Sequence, residues 1–277
     1  MLNFFIIDDI IKNALKEDIG TGDITTNATI PADKTISGSF IAKESGIICG
    51  LPIVKRVFEL LGTDVSINFY LSDGAAVEKG AVIADISGNA QAILIGERVS
   101  LNFLRHLSGI ASRTNQCVQA VKGTKASIAD TRKTTPGLRV LEKYAVRVGG
   151  GSNHRYNLSD GVLIKDNHIN AAGGIKAAVE AARKHIPHTL KIEVEVENQQ
   201  MIEEALSSNA DIIMLDNMSI EEMKNAVAFI NGRAIVEASG NMGDKDLLEV
   251  AQTGVDLISI GALTHSIRAM DISLRFK

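Results

Sequence analysis

The feature that most limits how this chain can fold is a recurrence in its second half. Short apolar runs rich in Ile, Val, Leu and Ala fall at 126–129, 161–164, 190–196, 211–215, 234–238 and 257–260. Helix-compatible stretches lie between several of them, at 174–184, 198–207, 220–230 and 245–252. The intervals, mostly about twenty to thirty-five residues, match a βα unit, the crossover that parallel strands require. Repeated units of this size point to a TIM-like α/β barrel more than to a doubly wound sheet. No glycine-rich dinucleotide fingerprint follows an early strand, which further disfavours a Rossmann arrangement.

The first half has a different character. Residues 1–18 carry Asp8, Asp9, Glu17 and Asp18 with no basic leader region, so they read as an amphipathic helix and not as a signal peptide. A polar, turn-rich stretch at 20–26 leads into a strand at 36–42, and 46–52 opens a short helix reaching Leu61. Short strands and turns fill 65–95, and a long helix covers about 91–121. Within them, Asp73-Gly74-x-x-Val77-x-x-Gly80-x-x-Ile83 resembles the turn spacing of biotinyl and lipoyl carrier domains. No lysine flanked by hydrophobic residues accompanies it, so only the turn geometry is shared. The expected organisation is therefore an N-terminal α/β sandwich over 1–108 and a barrel over 109–277. The last residues, about 266–277, are expected to pack back on the N-terminal part.

Composition narrows the setting. Hydrophobic residues make up 45% of the 277, but aromatics only 4% with no Trp, so the core must rest on aliphatic side chains. The only cysteines, Cys49 and Cys117, have neither metal-ligand spacing nor a disulfide framework, as expected in a reducing cytoplasm. No apolar run is long enough to span a bilayer. A soluble cytoplasmic protein without membrane or nucleic-acid partners is the expectation.

Against a net charge of −4, positive charge is concentrated between Thr131 and His168. Arg132, Lys133, Arg139, Lys143, Arg147, Arg155 and Lys165 there face only Glu142, Asp160 and Asp166. Focused cations in an acidic chain suit a small polyanion. In barrels the site gathers at the C-terminal strand ends. Those ends supply Arg132 and Lys133, Lys165 to His168, Glu195 and Glu197, Asp216 and Asn217, Ser239 and Gly240, and Gly261.

Glu193, Glu195 and Glu197 alternate with valines and share a strand face, which a parallel barrel turns inward. Buried carboxylates need partners, either cations such as Lys191 or Lys165 or a metal. Asp216 on the next strand offers a second carboxylate, a donor set suited to Mg²⁺ on a diphosphate. No two histidines sit at zinc-ligand spacing, and His185 and His188 flank a surface proline without an assigned role. Gly240 and Gly261 end the last two strands, where small residues let backbone N–H groups approach a phosphate. Arg98, Asn102 and Arg105 share one helix face. That face is either solvated, paired with Glu97, or turned to an anionic site on another subunit.

One family resemblance accounts for these pieces together. Arg132-Lys133-Thr134-x-Pro136-Gly137, Lys143-Tyr144-Ala145-Val146-Arg147, Gly149-Gly150-Gly151-x-Asn153-His154-Arg155 and Ile164-Lys165-Asp166-Asn167-His168 closely resemble the quinolinate phosphoribosyltransferases. So do Glu193-Val194-Glu195-Val196, Leu215-Asp216-Asn217, Glu237-Ala238-Ser239-Gly240 and Gly261-Ala262-Leu263-Thr264-His265-Ser266. Glu17-Asp18-x-Gly20-x-Gly22-Asp23-x-Thr25 and Glu97-Arg98-x-x-x-Asn102 extend the likeness over nearly the whole chain. Val148 departs from it, where a cysteine before the three glycines is expected, and this should affect packing more than chemistry.

The resemblance implies a hammerhead-like N-terminal α/β sandwich and a TIM-like α/β barrel that need not be complete. It implies transfer of phosphoribosyl from phosphoribosyl pyrophosphate (PRPP) to quinolinate, giving nicotinate mononucleotide, diphosphate and CO2 in NAD synthesis. It implies that Arg132, His154, Arg155 and Lys165 bind quinolinate, with Arg98 reaching in from the partner of a homodimer. Lys133 and Lys165 would contact PRPP, Glu195 and Asp216 would hold Mg²⁺–PRPP, and Ser239, Gly240 and Gly261 would receive the 5′-phosphate. Lys133, Lys165, Glu195 and Asp216 would carry the chemistry. Assembly beyond the dimer stays open. Three rivals remain at this point: a related transferase for another pyridine or azole acid, a Schiff-base aldolase using Lys165, and a non-catalytic phosphosugar-binding barrel.

Overall fold

A computed structural model describes residues 2–62 and 64–277. The N-terminal helix α1 (Phe4–Ile19) forms because Ile7, Ile11 and Leu15 recur at helical spacing and are its buried residues. Asn3 caps its start through the Phe5 N–H, and Gly20 in a positive-φ turn ends it. Where the sequence suggested only a polar turn, Asp23 accepts the Thr26 N–H and opens a short helix, α2 (Ile24–Thr29). Next come β1 (Thr35–Ala42), β2 (Gly46–Ile47), α3 (Leu51–Leu61), β3 (Val65–Phe69), β4 (Ala76–Val77), β5 (Val82–Asn89) and the long α4 (Ala90–Ala120).

The chain divides into two compact units, each discontinuous in sequence. The first holds residues up to Asn115, Thr135–Gly150 and Ile267–Lys277. Its antiparallel sheet runs β12-β1-β5-β3, with β12 (Ile272–Phe276) drawn from the far end of the chain. Phe40, Ile83, Ile86 and Leu274 from the sheet pack with Val54 and Phe58 of α3 and Ile93, Leu101 and Leu104 of α4. This is one sheet face covered by helices, an α/β two-layer unit.

A further helix, α5 (Arg139–Val148), belongs to this first unit although it lies in sequence beyond the expected boundary at 108/109. The reason is local packing. Glu142 is fully buried and pairs with His106 at 2.9 Å, and the Tyr144 hydroxyl donates to Asp73 at 2.7 Å. Gly149 lies so close to α4 that a Cβ there would stand 2.4 Å from the Ala111 carbonyl oxygen. Arg139, Lys143 and Arg147 go with α5, so the run of cations seen in the sequence is split between the two units.

The second unit, Gln116–Thr134 with Gly151–Ser266, is the parallel one. Its strands are β6 (Ser127–Ala129), β7 (Val162–Ile164), β8 (Ile192–Val196), β9 (Ile212–Asp216), β10 (Ile235–Ser239) and β11 (Leu257–Ser259). They are joined by α6 (Asp166–Ala172), α7 (Ile175–His185), α8 (Gln199–Ser207), α9 (Ile220–Ile230) and α10 (Leu247–Gln252), and α11 (Ala262–His265) follows the last. The order β6-β11-β10-β9-β8-β7 puts the unit's first strand beside its last, as barrel closure does. The seam lies between β6 and β7, where the chain departs to form α5, and one parallel bridge, Ala129 to Ser152, is found beside it. The unit is thus a six-stranded, incomplete TIM-like barrel. At the strands' N-terminal ends Asp211 and Asp256 accept the N–H groups of Ile192 and Val236. They also pair with Arg183 and Lys125, so the large cavity of about 710 Å³ at that end is lined by charges already used to hold strands together.

Candidate active site

Strand parity selects the side chains that reach the barrel mouth. Residues two apart on a strand face the same way. Leu163 and Lys165, Glu195, Met214 and Asp216, Glu237 and Ser239, and Ser259 therefore come from five neighbouring strands or their ends onto one surface. Together with Arg132, Lys133, His154 and Arg155 they line a cavity of about 440 Å³. Gly240, Asn217 and Asn241 complete its rim.

Its positive wall comes from the segments flanking the seam. Arg155 donates to the Gly161 carbonyl at 3.1 Å, which anchors one edge of its guanidinium. Its pKa is held below the ordinary value, first by burial and then by the nearby Arg132 charge. Two guanidinium groups that repel one another inside a cavity are stabilised when a polyanion enters between them. Lys133 is tethered by its own carbonyl, which accepts the Thr264 hydroxyl at 2.7 Å. Its aliphatic stem lies against Gly261, where a Cβ would come within 3.0 Å of the Lys133 Cδ.

Lys165 pairs closely with Glu195, and its backbone N–H donates to His168 Nδ1 at 3.0 Å in the capping box that starts α6. Of the two cations suggested for the glutamate face, Lys165 is thus the one that meets Glu195. Glu197 does not share the site. It is exposed beyond the end of β8 and lines a separate cavity of about 310 Å³ with Asn198 and Glu222. Asp216 accepts the Asn217 side-chain amide at 2.7 Å.

The rim at Gly240 has a backbone explanation. Gly240 has φ +92°, and a Cβ there would lie 2.2 Å from Asn217 Oδ1 and 2.7 Å from its backbone nitrogen. Only glycine lets the ends of β9 and β10 come this close while keeping that turn. Asn217 and Asn241 also adopt positive φ, the conformation Asn tolerates best after Gly.

Arg98 does not line the cavity. It lies exposed on α4 in the first unit, while Arg105 of the same face is used within that unit by the Met270 carbonyl and Asp271.

At the inner wall of the cavity His154, expected from the sequence to bind quinolinate, meets two acids, Glu193 and Glu237, a grouping that no motif announced. His154 Nε2 is 3.0 Å from Glu193 and 3.7 Å from Glu237, and both acids are almost wholly buried. Burial, and then the Glu193 charge, raise the Glu237 pKa to about 7. The signal was present: Glu237 is the one acid inside the apolar run 234–238, a place where charge is costly unless it is used. Asp130, also fully buried, accepts the His154 N–H at 2.8 Å and the Asn153 amide at 2.6 Å.

Comparison with known proteins agrees with this arrangement. Residues 23–108 match the family model for the quinolinate phosphoribosyl transferase N-terminal domain, and 110–275 match that for its C-terminal domain. The chain belongs to the quinolinate phosphoribosyl transferase family. A probable nicotinate-nucleotide pyrophosphorylase (carboxylating) of Bacillus subtilis is 42% identical over 273 residues, covering 99% of this chain and 94% of the relative. The chloroplastic enzyme of that name from Arabidopsis thaliana is 44% identical, over 96% of this chain and 81% of its own length. Among solved structures, NadC of Streptococcus pyogenes superposes with a TM-score of 0.94 at 43% identity, over 100% of this chain and 98% of the other. The fold seen in the family thus includes the incomplete barrel and the helix-covered sheet described above. Among the described residues no helix is long and apolar enough to cross a membrane.

Proposed function

We propose that this chain transfers the phosphoribosyl group of PRPP to quinolinate with loss of CO2, giving nicotinate mononucleotide and diphosphate for NAD synthesis. Beyond family membership, one observation carries the reading: Arg132, Arg155 and Lys165 line one cavity. Quinolinate has two adjacent carboxylates, and two guanidinium forks with an ammonium match that charge and its planar geometry. An acid with a single carboxylate leaves part of the like-charge repulsion uncompensated.

The remaining roles follow from what each group can do. Lys133 and Lys165 offer mobile point charges to the diphosphate as the C1–O bond breaks and negative charge moves onto it. Ser239 and Gly240, which line the cavity, and Gly261, which lies against the Lys133 stem, would receive the 5′-phosphate. Glu195 and Asp216, hard oxygen donors from neighbouring strand ends, fit Mg²⁺ carried in with PRPP. When bound, that ion neutralises developing charge on the leaving diphosphate. The pyridine nitrogen attacks the oxocarbenium-like C1, the resulting ring cation stabilises the carbanion left when the C2 carboxylate departs as CO2, and a proton from water then completes C2. No protein base is needed for either step. Arg98 would enter from a second copy of the chain in a homodimer.

The test is release of both diphosphate and CO2 by purified protein given PRPP, Mg²⁺ and quinolinate, with nicotinate in parallel. Both products with quinolinate alone are expected. Turnover of nicotinate at a comparable rate, or of neither acid, would overturn the assignment.

A further inference from the structure

We propose that Thr264 is a positioning residue for the transfer: its hydroxyl holds the main chain of Lys133, and through it keeps the Lys133 ammonium where the diphosphate of PRPP leaves. The inference deepens the proposed transfer and rests on it for the identity of the anion.

The fold brings two distant segments side by side. β11 lies next to β6 with Ser259 opposite Ala129, and the Ile260 N–H closes their ladder on the Ala129 carbonyl at 2.9 Å. Beyond this point β6 gives way to the loop that carries Arg132 and Lys133, and β11 to α11, which carries Thr264. Thr264, only 2% exposed, reaches across and donates to the Lys133 carbonyl at 2.7 Å. A second acceptor, the Gly261 carbonyl, is farther away at 3.3 Å and already takes the N–H groups of Thr264 and His265, each at 3.1 Å. The single hydroxyl proton therefore goes to Lys133.

Two other bonds shape the loop from within. Thr131 Oγ1 accepts the Lys133 N–H at 3.0 Å, and the Arg132 carbonyl accepts the Thr134 N–H at 3.0 Å. Both lie inside the turn, whereas Thr264 fixes the turn to the barrel.

Lys133 and Lys165 are aimed by different means. Lys165 is held by its own ion pair with Glu195. Lys133 is an exposed side chain whose stem lies on Gly261, so its aim comes from main chain and stem. An ammonium held in this way loses less freedom when it meets the diphosphate. Loosening the Lys133 carbonyl lets the turn swing and takes the charge off that path. Quinolinate is also met by Arg155 and Lys165 from other segments, so it depends less on this turn.

Two measurements on the intact protein compare Thr264→Val, which keeps the side chain's shape without the donor, with Thr264→Ser, which keeps the donor without the methyl. In steady-state kinetics Thr264→Val should raise the PRPP KM about fivefold, the worth of one modest hydrogen bond, with the quinolinate KM nearly unchanged and Thr264→Ser close to wild type. A merely structural role follows packing and not the donor. Equal rises in Ser and Val, or equal rises in the two KM values, would therefore overturn the proposal. The second measurement is hydrogen exchange of residues 131–134 without substrate, followed by mass spectrometry. Exchange should be faster in Thr264→Val and like wild type in Thr264→Ser. Equal exchange in all three proteins would overturn the proposal whatever the substrate is. Because this readout needs no substrate, a wrong acid or sugar donor is told apart from failure of the Thr264 contact.

Discussion

Replacing Glu237 with Gln should make the protein more stable relative to wild type as pH rises. Glu237 is 1% exposed, and its pKa is raised from 4.5 to about 7, by burial first and then by Glu193. Between those two pH values the unfolded chain gives up the proton while the folded chain keeps it. Folding therefore binds a proton across that window, and stability falls as pH rises through it. Below pH 4.5 the cost is absent, and above about 7 it is fully present. A shift of that size corresponds to about 3 kcal/mol. Gln has nearly the same shape and cannot ionise, so its stability curve lacks this contribution. Urea unfolding of both proteins at pH 5, 6, 7 and 8, followed by circular dichroism, reads the effect, since groups remote from Glu237 titrate alike in both. The stability difference, variant minus wild type, should grow by about 3 kcal/mol between pH 5 and 8. Parallel curves would show that Glu237 ionises without cost in the fold, and the account of that buried pair would be wrong.

Four further outcomes follow from the geometry. In Gly149→Ala the new methyl meets the Ala111 carbonyl oxygen and Thr114, so thermal unfolding should move down by the equivalent of about 1–3 kcal/mol. Gly240→Ala must abandon φ +92° or displace Asn217, so it should cut turnover sharply and raise the PRPP KM more than the quinolinate KM. Arg98→Ala and Arg132→Ala should each be nearly inactive yet recover about a quarter of wild-type activity when mixed and allowed to exchange, as expected when half the dimers carry one intact site. Activity should vanish on chelation and return with excess Mg²⁺, measured as diphosphate release; activity retained without divalent ions would remove Glu195 and Asp216 from that role.

The barrel was legible because its strands are nearly continuous aliphatic runs and its helices carry clear periodicity. The parallel strands at 126–129, 161–164, 190–196, 211–215, 234–238 and 257–260 all appear, each within a residue or two of its expected bounds. The smaller elements were less visible. The helix at Ile24–Thr29 hangs on a single capping aspartate in a polar stretch, and the last strand, Ile272–Phe276, pairs with residues more than two hundred positions away. Neither leaves a periodic pattern long enough to read.

The same distinction explains what could be read of the site. Lys165, Glu195, Asp216 and Ser239 sit at or just past strand ends, so the rule that barrels place chemistry there finds them from local sequence alone. The cations of 131–168 look equivalent in sequence, yet Arg132, Lys133, Arg155 and Lys165 line the cavity while Arg139, Lys143 and Arg147 belong to a helix in the other unit. What separates them is where the chain crosses the barrel seam, a property of the whole topology and not of any motif. The buried acids show the converse. Glu193 and Glu237 interrupt apolar strands, and the cost of burying charge implies a partner for each. Only the fold reveals that the partner is one histidine shared by both. That histidine and Glu237 both line the cavity, so buried acids as well as cations set the charge that an entering anion meets. For this reason the substrate's charge pattern is better inferred from Arg132, Arg155 and Lys165 than from a simple count of basic residues along the motif.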